Sequence, residues 1–342
     1  MEAITTLSEF LTKADTQFQV YDLGRRVRPL DPILFAQLEA GTLPYPTPRA
    51  GFAWLGILFW NAKASNQHYV WFLKLPLDER GLLNPAARNQ FLQMVMEALG
   101  QDPAAALSEE QEERLANNPF TFTPGQEKMA LFNALVRKHL AQPASVYFEP
   151  VQQYVSGQHP WEAWHQLGLQ GFADLVSRPN SADDESLAKA IAAMPFEPLS
   201  ALGSVMEHGP ISNLVGEAWY RRWCISQEPH ERQLCLRALA GSVEARDHAV
   251  DQLLSQPNLD QETLIVLAAR LWEALDQHQM PRYLEHLAQY PGPLFNQIYS
   301  DLVAIPGQRA WVLMSLRSPE RSEALNLAVA RLVESVKGAR RD

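Results

Sequence analysis

Apolar residues recur at helical spacing through the second half of the chain, in short blocks separated by prolines. The block at residues 243–254, for example, places Val250, Leu253 and Leu254 on one stripe. A helix with a single apolar stripe cannot bury that stripe alone, so successive helices must stack against one another. The pattern therefore predicts a mainly α, HEAT-like helical-repeat domain over residues 161–342, and the alternative is a compact, irregular bundle of helices. The breaks contain Pro179, Pro195, Pro198, Pro210, Pro229, Pro257, Pro281, Pro293, Pro306 and Pro319.

The first hundred residues show a different pattern. Residues 52–61 are apolar at almost every position, as in a strand that is covered on both faces. Residues 68–75 are rich in aromatic and branched side chains, and the polar residues between the two segments form a loop of hairpin length. The two strands are therefore expected to pair antiparallel. Together with helices predicted over residues 31–39 and 85–99, they indicate a small α+β domain at residues 1–100.

Residues 101–160 are predicted to join these two parts. Their first section, residues 101–122, contains an acidic run and few large apolar side chains. The Thr-Pro-Gly-Gln sequence at residues 123–126 then has the spacing of a capping box before an apolar helical pattern. We therefore predict an acidic linker followed by a connecting helix.

The charge balance limits the classes of partner. The chain has 342 residues and a formal net charge of −10, and its length suits two domains of ~100–200 residues each. An acidic protein is poorly suited to general binding of phosphate backbones or anionic membranes. The N-terminus lacks the positive region and apolar core of a signal peptide, and no segment approaches the ~18 apolar residues of a membrane span. We therefore expect a cytoplasmic protein.

No common catalytic motif occurs in the chain. It has no phosphate-binding loop, dinucleotide-binding turn, nucleophile elbow or zinc-protease helix. Cys224, His230 and Cys235 lie near one another in sequence, but they lack a fourth ligand and the close spacing of a zinc site. The sequence therefore predicts no cofactor and no metal site, and it identifies no catalytic residue.

Two groups of charged residues follow predicted strands and are the strongest candidates for a binding site. Arginine side chains bind carboxylate or phosphate groups through two parallel hydrogen bonds. If both groups lie at the same edge of the sheet, they could form a site for an anion or a peptide carboxylate. The alternative is a pair of solvated turns with weak Asp–Arg ion pairs. The candidates are Asp22, Arg25, Arg26 and Arg28 in the first group, and Lys74, Asp78 and Arg80 in the second.

Several segments of the N-terminal part resemble an uncharacterised bacterial protein family of about this length. They are YDLGRRV at residues 21–27, PYP at 44–46, WLGILFWN at 54–61 and VWFLKLPLDERGLL at 70–83, followed by a long helical region. The resemblance extends over the whole chain and implies a cytosolic bacterial protein of unknown function. It supplies no catalytic residues.

The features together favour a non-catalytic, macromolecule-binding protein, an adaptor whose expected partner is another protein. The alternative is an enzyme that acts on an anionic substrate in the N-terminal domain, using Arg25, Arg26 and Lys74 with Asp22 or Asp78. Contact with nucleic acid through Arg25, Arg26, Arg28, Arg221 and Arg222 is a weaker alternative, because the net charge opposes it. The sequence gives no indication of the oligomeric state.

Overall fold

A computed structural model describes residues 4–61, 63, 67–99 and 118–338, and the chain divides into two compact units. The first unit is Met1–Gly125 and the second is Gln126–Asp342. Residues 101–117, most of the predicted acidic linker, lie outside the described residues. The helix that follows them, predicted as the connecting helix, belongs to the second unit.

The first unit contains a four-stranded antiparallel sheet in the order β2-β1-β3-β4. The two long strands β3 and β4 pair antiparallel over their whole length, with Trp54 opposite Lys74 and Ile57 opposite Trp71, which confirms the predicted pairing. The short strand β2 was not predicted from the sequence, because three residues are too few to show an alternating pattern. The strands are β1 (Gln17–Asp22), β2 (Arg28–Leu30), β3 (Phe52–Trp60) and β4 (His68–Pro76).

Three helices share one apolar core with this sheet. They are α1 (Leu7–Lys13), α2 (Pro32–Glu39) and α3 (Pro85–Leu99). Alternation along β3 directs every second side chain to the same face, and on one face these side chains are all buried. The core combines Ala53, Leu55, Ile57 and Phe59 of β3 with Leu7, Phe10, Phe35, Leu38, Phe91 and Val95 of the helices.

A buried carboxylate joins the helices of the first unit. The Glu39 carboxylate, at the end of α2, accepts hydrogen bonds from the first-turn backbone N–H groups of Leu7 (2.7 Å) and Ser8 (3.1 Å) in α1. These groups have no partner within their own helix, and a negative charge is favourable at a helix N-terminus. Burial raises the pKa of Glu39 in spite of these bonds. The Arg88 guanidinium of α3 donates to the Glu39 backbone oxygen, so the same residue joins all three helices.

The second unit is helical, and its described residues, 126–338, contain no strand. This confirms the mainly helical second half that the apolar periodicity predicted. Its helices are α4 (Gln126–His139), α5 (Phe148–Val155), α6 (Leu169–Ser177), α7 (Asp184–Ala193), α8 (Phe196–Met206), α9 (Asn213–Ile225), α10 (Pro229–Ala238), α11 (Val243–Leu254), α12 (Gln261–Arg270), α13 (Gln279–Leu287), α14 (Pro293–Ala304), α15 (Pro306–Ser315) and α16 (Glu323–Gly338).

These helices pack in two rows, because each one lies against the helix two places further along the chain. The first row is α4, α6, α8, α10, α12 and α14, and the second row is α5, α7, α9, α11, α13 and α15. The final helix, α16, packs on α13. Each short amphipathic helix therefore covers its apolar stripe with neighbours in its own row and in the other row.

Arginine and lysine side chains connect neighbouring helices of a row at their C-terminal ends. The last carbonyl groups of a helix have no partner within that helix and need donors from elsewhere. Arg222 of α9 donates from Nη1 to the Ala192 carbonyl at the end of α7 (3.0 Å), and its Nε pairs with Glu231 of α10 (2.6 Å). Lys138 of α4 donates in the same way to the Ser177 carbonyl at the end of α6 (2.8 Å).

The stacking of α6 on α5 depends on a glycine. A β-carbon at Gly171 would lie 2.2 Å from the Tyr147 carbonyl oxygen and 2.7 Å from Val151 Cγ2. We expect Gly171→Ala to lower the free energy of unfolding by about 1–3 kcal/mol, because the two helices must separate. Gly307→Ala is the matched control, since no atom lies within 4 Å of its added β-carbon. It should raise stability by about 0.5–1 kcal/mol in urea unfolding. Equal changes in the free energy of unfolding for the two substitutions would contradict the close contact between Gly171 and Tyr147.

None of the helices in the described ranges combines the length and the apolar character needed to cross a membrane.

Candidate functional site: a groove between two helix turns

Asp22, the first of the predicted site residues, is buried at the end of β1 with 4% of its surface exposed. Its Oδ1 accepts hydrogen bonds from the Tyr45 hydroxyl (2.7 Å) and the Gly24 backbone N–H (2.8 Å), and its Oδ2 accepts one from the Thr47 hydroxyl. Burial, and then the negative charge of Asp22, raise the pKa of Tyr45 well above its ordinary value. Asp22 thus attaches the segment containing Tyr45 and Thr47 to the sheet.

Arg25 and Arg26 lie in the segment that connects β1 to β2, and Arg28 begins β2. Arg25 and Arg26 are buried, and Arg25 Nε donates to the Pro48 carbonyl (2.9 Å). Arg28 is the first residue of β2, where it pairs with Asp22 in the antiparallel register. The structure therefore brings Asp22, Arg25 and Arg28 together around one end of the sheet.

The second predicted group begins on β4, whose C-terminal end lies at the same end of the sheet as that of β1, because both strands are antiparallel to β3. Lys74 Nζ lies 4.2 Å from the ring centre of Phe52 and 4.8 Å from that of Trp54, which is cation–π geometry. Asp78 and Arg80 are exposed in the following turn, where Asp78 Oδ1 accepts the Arg80 backbone N–H (2.9 Å). An anion site formed by the two groups stays a prediction.

The second unit contains a cavity that the sequence did not predict. We call it the turn groove: it lies between the turn that joins α9 to α10 and the turn that joins α11 to α12, and its volume is about 640 Å³. Ligand-binding sites typically have volumes of ~300–1,000 Å³, so the groove has the size of a binding site. A second cavity, bordered by Leu187, Met206 and Val215, has a volume of only about 230 Å³.

The floor of the turn groove is apolar and its rim is polar. Trp223, Leu236, Leu253 and Leu259 line it and are almost completely buried. The rim carries amide side chains, which offer both hydrogen-bond donors and acceptors. An apolar floor with a few polar groups is the usual composition of a binding site. The rim residues are Gln256, Asn258, Gln261 and Glu262, all of them exposed.

A chain of hydrogen bonds orients one further amide of the groove, that of Gln233. Asp260 caps α12 by accepting the Thr263 backbone N–H (2.8 Å), and its other oxygen accepts the Thr263 hydroxyl (2.7 Å). A hydroxyl group has one hydrogen, so the Thr263 oxygen can only accept the bond from Gln233 Nε2 (3.2 Å). Gln233 Oε1 is therefore an acceptor. It is shielded from solvent and has no hydrogen-bond donor among the described residues.

Arg232 is the positively charged residue that lines the groove. Its guanidinium group already contacts other groups of the protein. Its Nη1 donates to the carbonyl groups of Trp223 (3.0 Å) and Ser226 (3.2 Å) at the end of α9. Its guanidinium carbon lies 5.2 Å from the centre of the Trp223 ring. The other charged residues that line the groove are Asp260 and Glu262, so an anionic ligand is disfavoured there.

A comparison with known families gives a match that covers nearly the whole chain. Residues 2–333 match a family described as a protein of unknown function, DUF3549. The chain belongs to the DUF3549 family. This confirms the resemblance to an uncharacterised family that the N-terminal segments carried. No curated protein and no solved structure matches the chain significantly, so any function of this DUF3549 protein must be argued from its geometry.

The helical unit of the DUF3549 protein also contains a buried charge cluster, centred on Glu207 at the end of α8. Only 2% of the Glu207 side chain is exposed, and its two oxygens accept hydrogen bonds from Arg237 Nε of α10 (2.6 Å) and Arg270 Nε of α12 (2.9 Å). Burial alone would raise the pKa of Glu207, but the charge of Arg270 and the hydrogen bond from Arg237 outweigh it, so this pKa is lowered. The cluster joins three successive helices of the first row.

The two cysteines of the DUF3549 protein differ in exposure. Cys224 is exposed, whereas Cys235 is buried, and burial raises the pKa of the Cys235 thiol to about 12. Cys235 therefore stays protonated at neutral pH, and the thiol form is a poor nucleophile. Within the described ranges, no group of three or more His, Cys, Asp and Glu side chains is arranged to hold a metal ion.

Proposed function

We propose that this protein is a non-catalytic scaffold that binds another protein at the turn groove of a HEAT-like helical array. The observation that carries the proposal is a cavity of about 640 Å³ with an apolar floor and an amide-rich rim. Stacked pairs of helices form extended binding surfaces in other repeat proteins, and the two rows of helices support the same use here.

The chemistry of the groove supports binding more than catalysis. Amide side chains neither titrate near neutral pH nor act as nucleophiles, and they form the larger part of the rim. The carboxylate of Asp260 is occupied as a helix cap, and Arg232 is occupied at the end of α9. Glutamine and asparagine are well suited to recognise a partner, because they can donate and accept at the same time.

The proposal can be tested by crosslinking from defined positions. A photo-crosslinking amino acid would replace Gln256 or Gln261 on the rim, in the full chain and in cells that express it naturally. Val243 is the matched control, because it is exposed on the same helix pair but at the opposite end of α11. We expect one protein to be captured from both rim positions and not from Val243.

Binding by the captured protein is then measured with both components purified. Asn258→Trp places a large side chain in the groove at an exposed position and should weaken binding without changing the fold. Equal crosslinking from Val243, or unchanged affinity of the Asn258→Trp variant, would reject the turn groove as the binding site.

A further inference from the structure

The guanidinium group of Arg232, which lines the turn groove, has one edge bound to the protein and one edge accessible to solvent. From this arrangement we infer that the partner presents the C-terminal end of a helix to the groove. The last carbonyl groups of that helix accept hydrogen bonds from Arg232, and a lysine or arginine of its last turn lies beside Glu262. The inference rests on the proposed function and specifies the structural feature that is recognised.

The first step of the argument is the fixed position of the Arg232 guanidinium. Its Nη1 is held by the carbonyl groups of Trp223 and Ser226, which takes up one edge of a planar fork of donors. The opposite edge consists of Nε and Nη2, which donate to no group in the described part of the chain and remain in contact with solvent. Because Arg232 is only half-buried and lines the groove, a ligand in the groove can reach this edge.

The second step is the choice of acceptor for that edge. Elsewhere in the helical unit, Nε of Arg237 pairs with a carboxylate (2.6 Å), whereas Nε of Arg309 donates to the Val303 carbonyl at the end of α14 (3.0 Å). A carboxylate in the groove would meet the negative charges of Asp260 and Glu262. A helix C-terminus carries only about half an elementary charge, on carbonyl groups that have no partner within their own helix. The helix end is therefore the better acceptor here.

The third step is that the protein binds helix ends in this way within its own array. Arg222 donates to the Ala192 carbonyl at the end of α7, and Lys138 donates to the Ser177 carbonyl at the end of α6. Arg232 already holds the end of α9 through Nη1. With a partner bound, the same guanidinium group would hold two helix ends, one through each edge.

The fourth step concerns the side chains of the partner's last helical turn. Glu262 is exposed and has no ion-pair or hydrogen-bond partner among the described residues. Lysine and arginine are favourable in the last turn of a helix, because they compensate its negative end. One such residue complements Glu262, and an apolar residue of the same turn meets the floor formed by Leu253 and Leu259.

The experiment uses two displayed libraries that are built on one stable helical peptide and selected on the purified full chain. The first library randomises the last turn of the helix, and the second randomises the same number of positions in its middle. A polar linker follows the helix in both libraries, so the helix end carries no terminal carboxylate. We expect enrichment from the first library only, with lysine or arginine in the last turn.

The affinity of an enriched peptide is then measured for protein variants. Arg232→Lys keeps the positive charge but has no second edge, so it should weaken binding on the order of tenfold. Glu262→Gln should weaken binding by about twofold to fivefold, and only for peptides with a basic last turn. Glu244→Gln is the matched control, because Glu244 is also an exposed carboxylate in a first helical turn, but at the opposite end of α11 from the groove. It should leave the affinity unchanged.

Ester substitution in the peptide tests the contact without changing the protein. Replacing a main-chain amide of the last turn with an ester makes its carbonyl group a weaker acceptor. One such position should weaken binding to the wild type and have little further effect on binding to Arg232→Lys. Thermal unfolding of Arg232→Lys shows whether its loss of affinity follows from a loss of folded protein, and the ester result on the wild type stands in either case.

Four results would overturn the inference. They are no enrichment from the first library, equal enrichment from the second, unchanged affinity of folded Arg232→Lys, and no effect of any ester position. If crosslinking from Gln256 and Gln261 still captures a protein in such a case, the protein-binding function stands and the partner presents a different feature. If crosslinking captures no protein either, both proposals fail.

Discussion

Replacing Glu207 with glutamine should lower the free energy of unfolding of the helical unit by about 2–3 kcal/mol. The carboxylate is 2% exposed and compensates two arginines, Arg237 and Arg270, that come from different helices. A neutral amide leaves those two guanidinium groups without their shared negative partner. Water compensates part of the loss, because 37% of the Arg237 side chain and 24% of the Arg270 side chain are exposed. Urea unfolding followed by far-ultraviolet circular dichroism measures the change.

Glu217→Gln is the matched control, because Glu217 also pairs with an arginine, Arg221, but on the surface. The two atoms are 3.6 Å apart and both side chains are largely exposed, so the loss should be about 0.5 kcal/mol or less. If both substitutions lower the free energy of unfolding by the same amount, the buried cluster does not hold the first row together.

The pH dependence of stability should change with Glu207 in a defined direction. Its pKa in the folded protein lies below the ordinary value of 4.5, so the unfolded chain binds the proton more readily. The stabilisation is therefore present above pH 4.5 and is lost as the pH falls through the folded pKa. On acidification below pH 4.5, the free energy of unfolding should fall more for the wild type than for Glu207→Gln. Parallel curves of the free energy of unfolding against pH would contradict the lowered pKa of Glu207.

Asp22→Ala should destabilise the first unit by about 3 kcal/mol or more. The substitution removes the acceptor of three hydrogen bonds, and each buried donor left without a partner costs about 1–3 kcal/mol. The Tyr45 hydroxyl is the most affected, because the Tyr45 side chain is completely buried. Denaturant unfolding of the full chain, followed by the fluorescence of tryptophan in the sheet, measures the loss.

Asp31→Ala provides the comparison, since Asp31 caps α2 from an exposed position and its loss should cost about 1 kcal/mol. Tyr45→Phe removes only one of the donors that Asp22 accepts, so the effects of Asp22→Ala and Tyr45→Phe should not add. A stability change within about 0.5 kcal/mol for Asp22→Ala would contradict the structural role of this residue.

The predicted site residues show what local sequence reasoning can detect. Charged residues after a strand suggested a shared edge, and β1 and β4 do end on the same side of the sheet. The sequence did not show that Asp22 would be enclosed by Tyr45 and Thr47, more than twenty residues away. That contact depends on how the segment before β3 folds back onto the sheet. Local periodicity in the sequence does not predict this path.

The turn groove also combines a feature that the sequence reveals with one that only the tertiary structure creates. Asp260 before an apolar helical block is a recognisable helix cap, so one member of the hydrogen-bond chain could be read from its position. Its extension to Gln233 joins residues 30 positions apart on different helices. The direction of the Gln233 amide is therefore fixed only once α10 and α12 are side by side.

The sequence by itself determined the helices of the second half and the antiparallel strand pair of the first. Helical stripes and strand alternation depend on spacings within one element, so the order of residues is enough to specify them. The tertiary structure alone decided the partners of Glu207, which lies 30 residues from Arg237 and 63 from Arg270. Such contacts follow from the packing of whole helices, because packing brings together side chains that are far apart in the sequence.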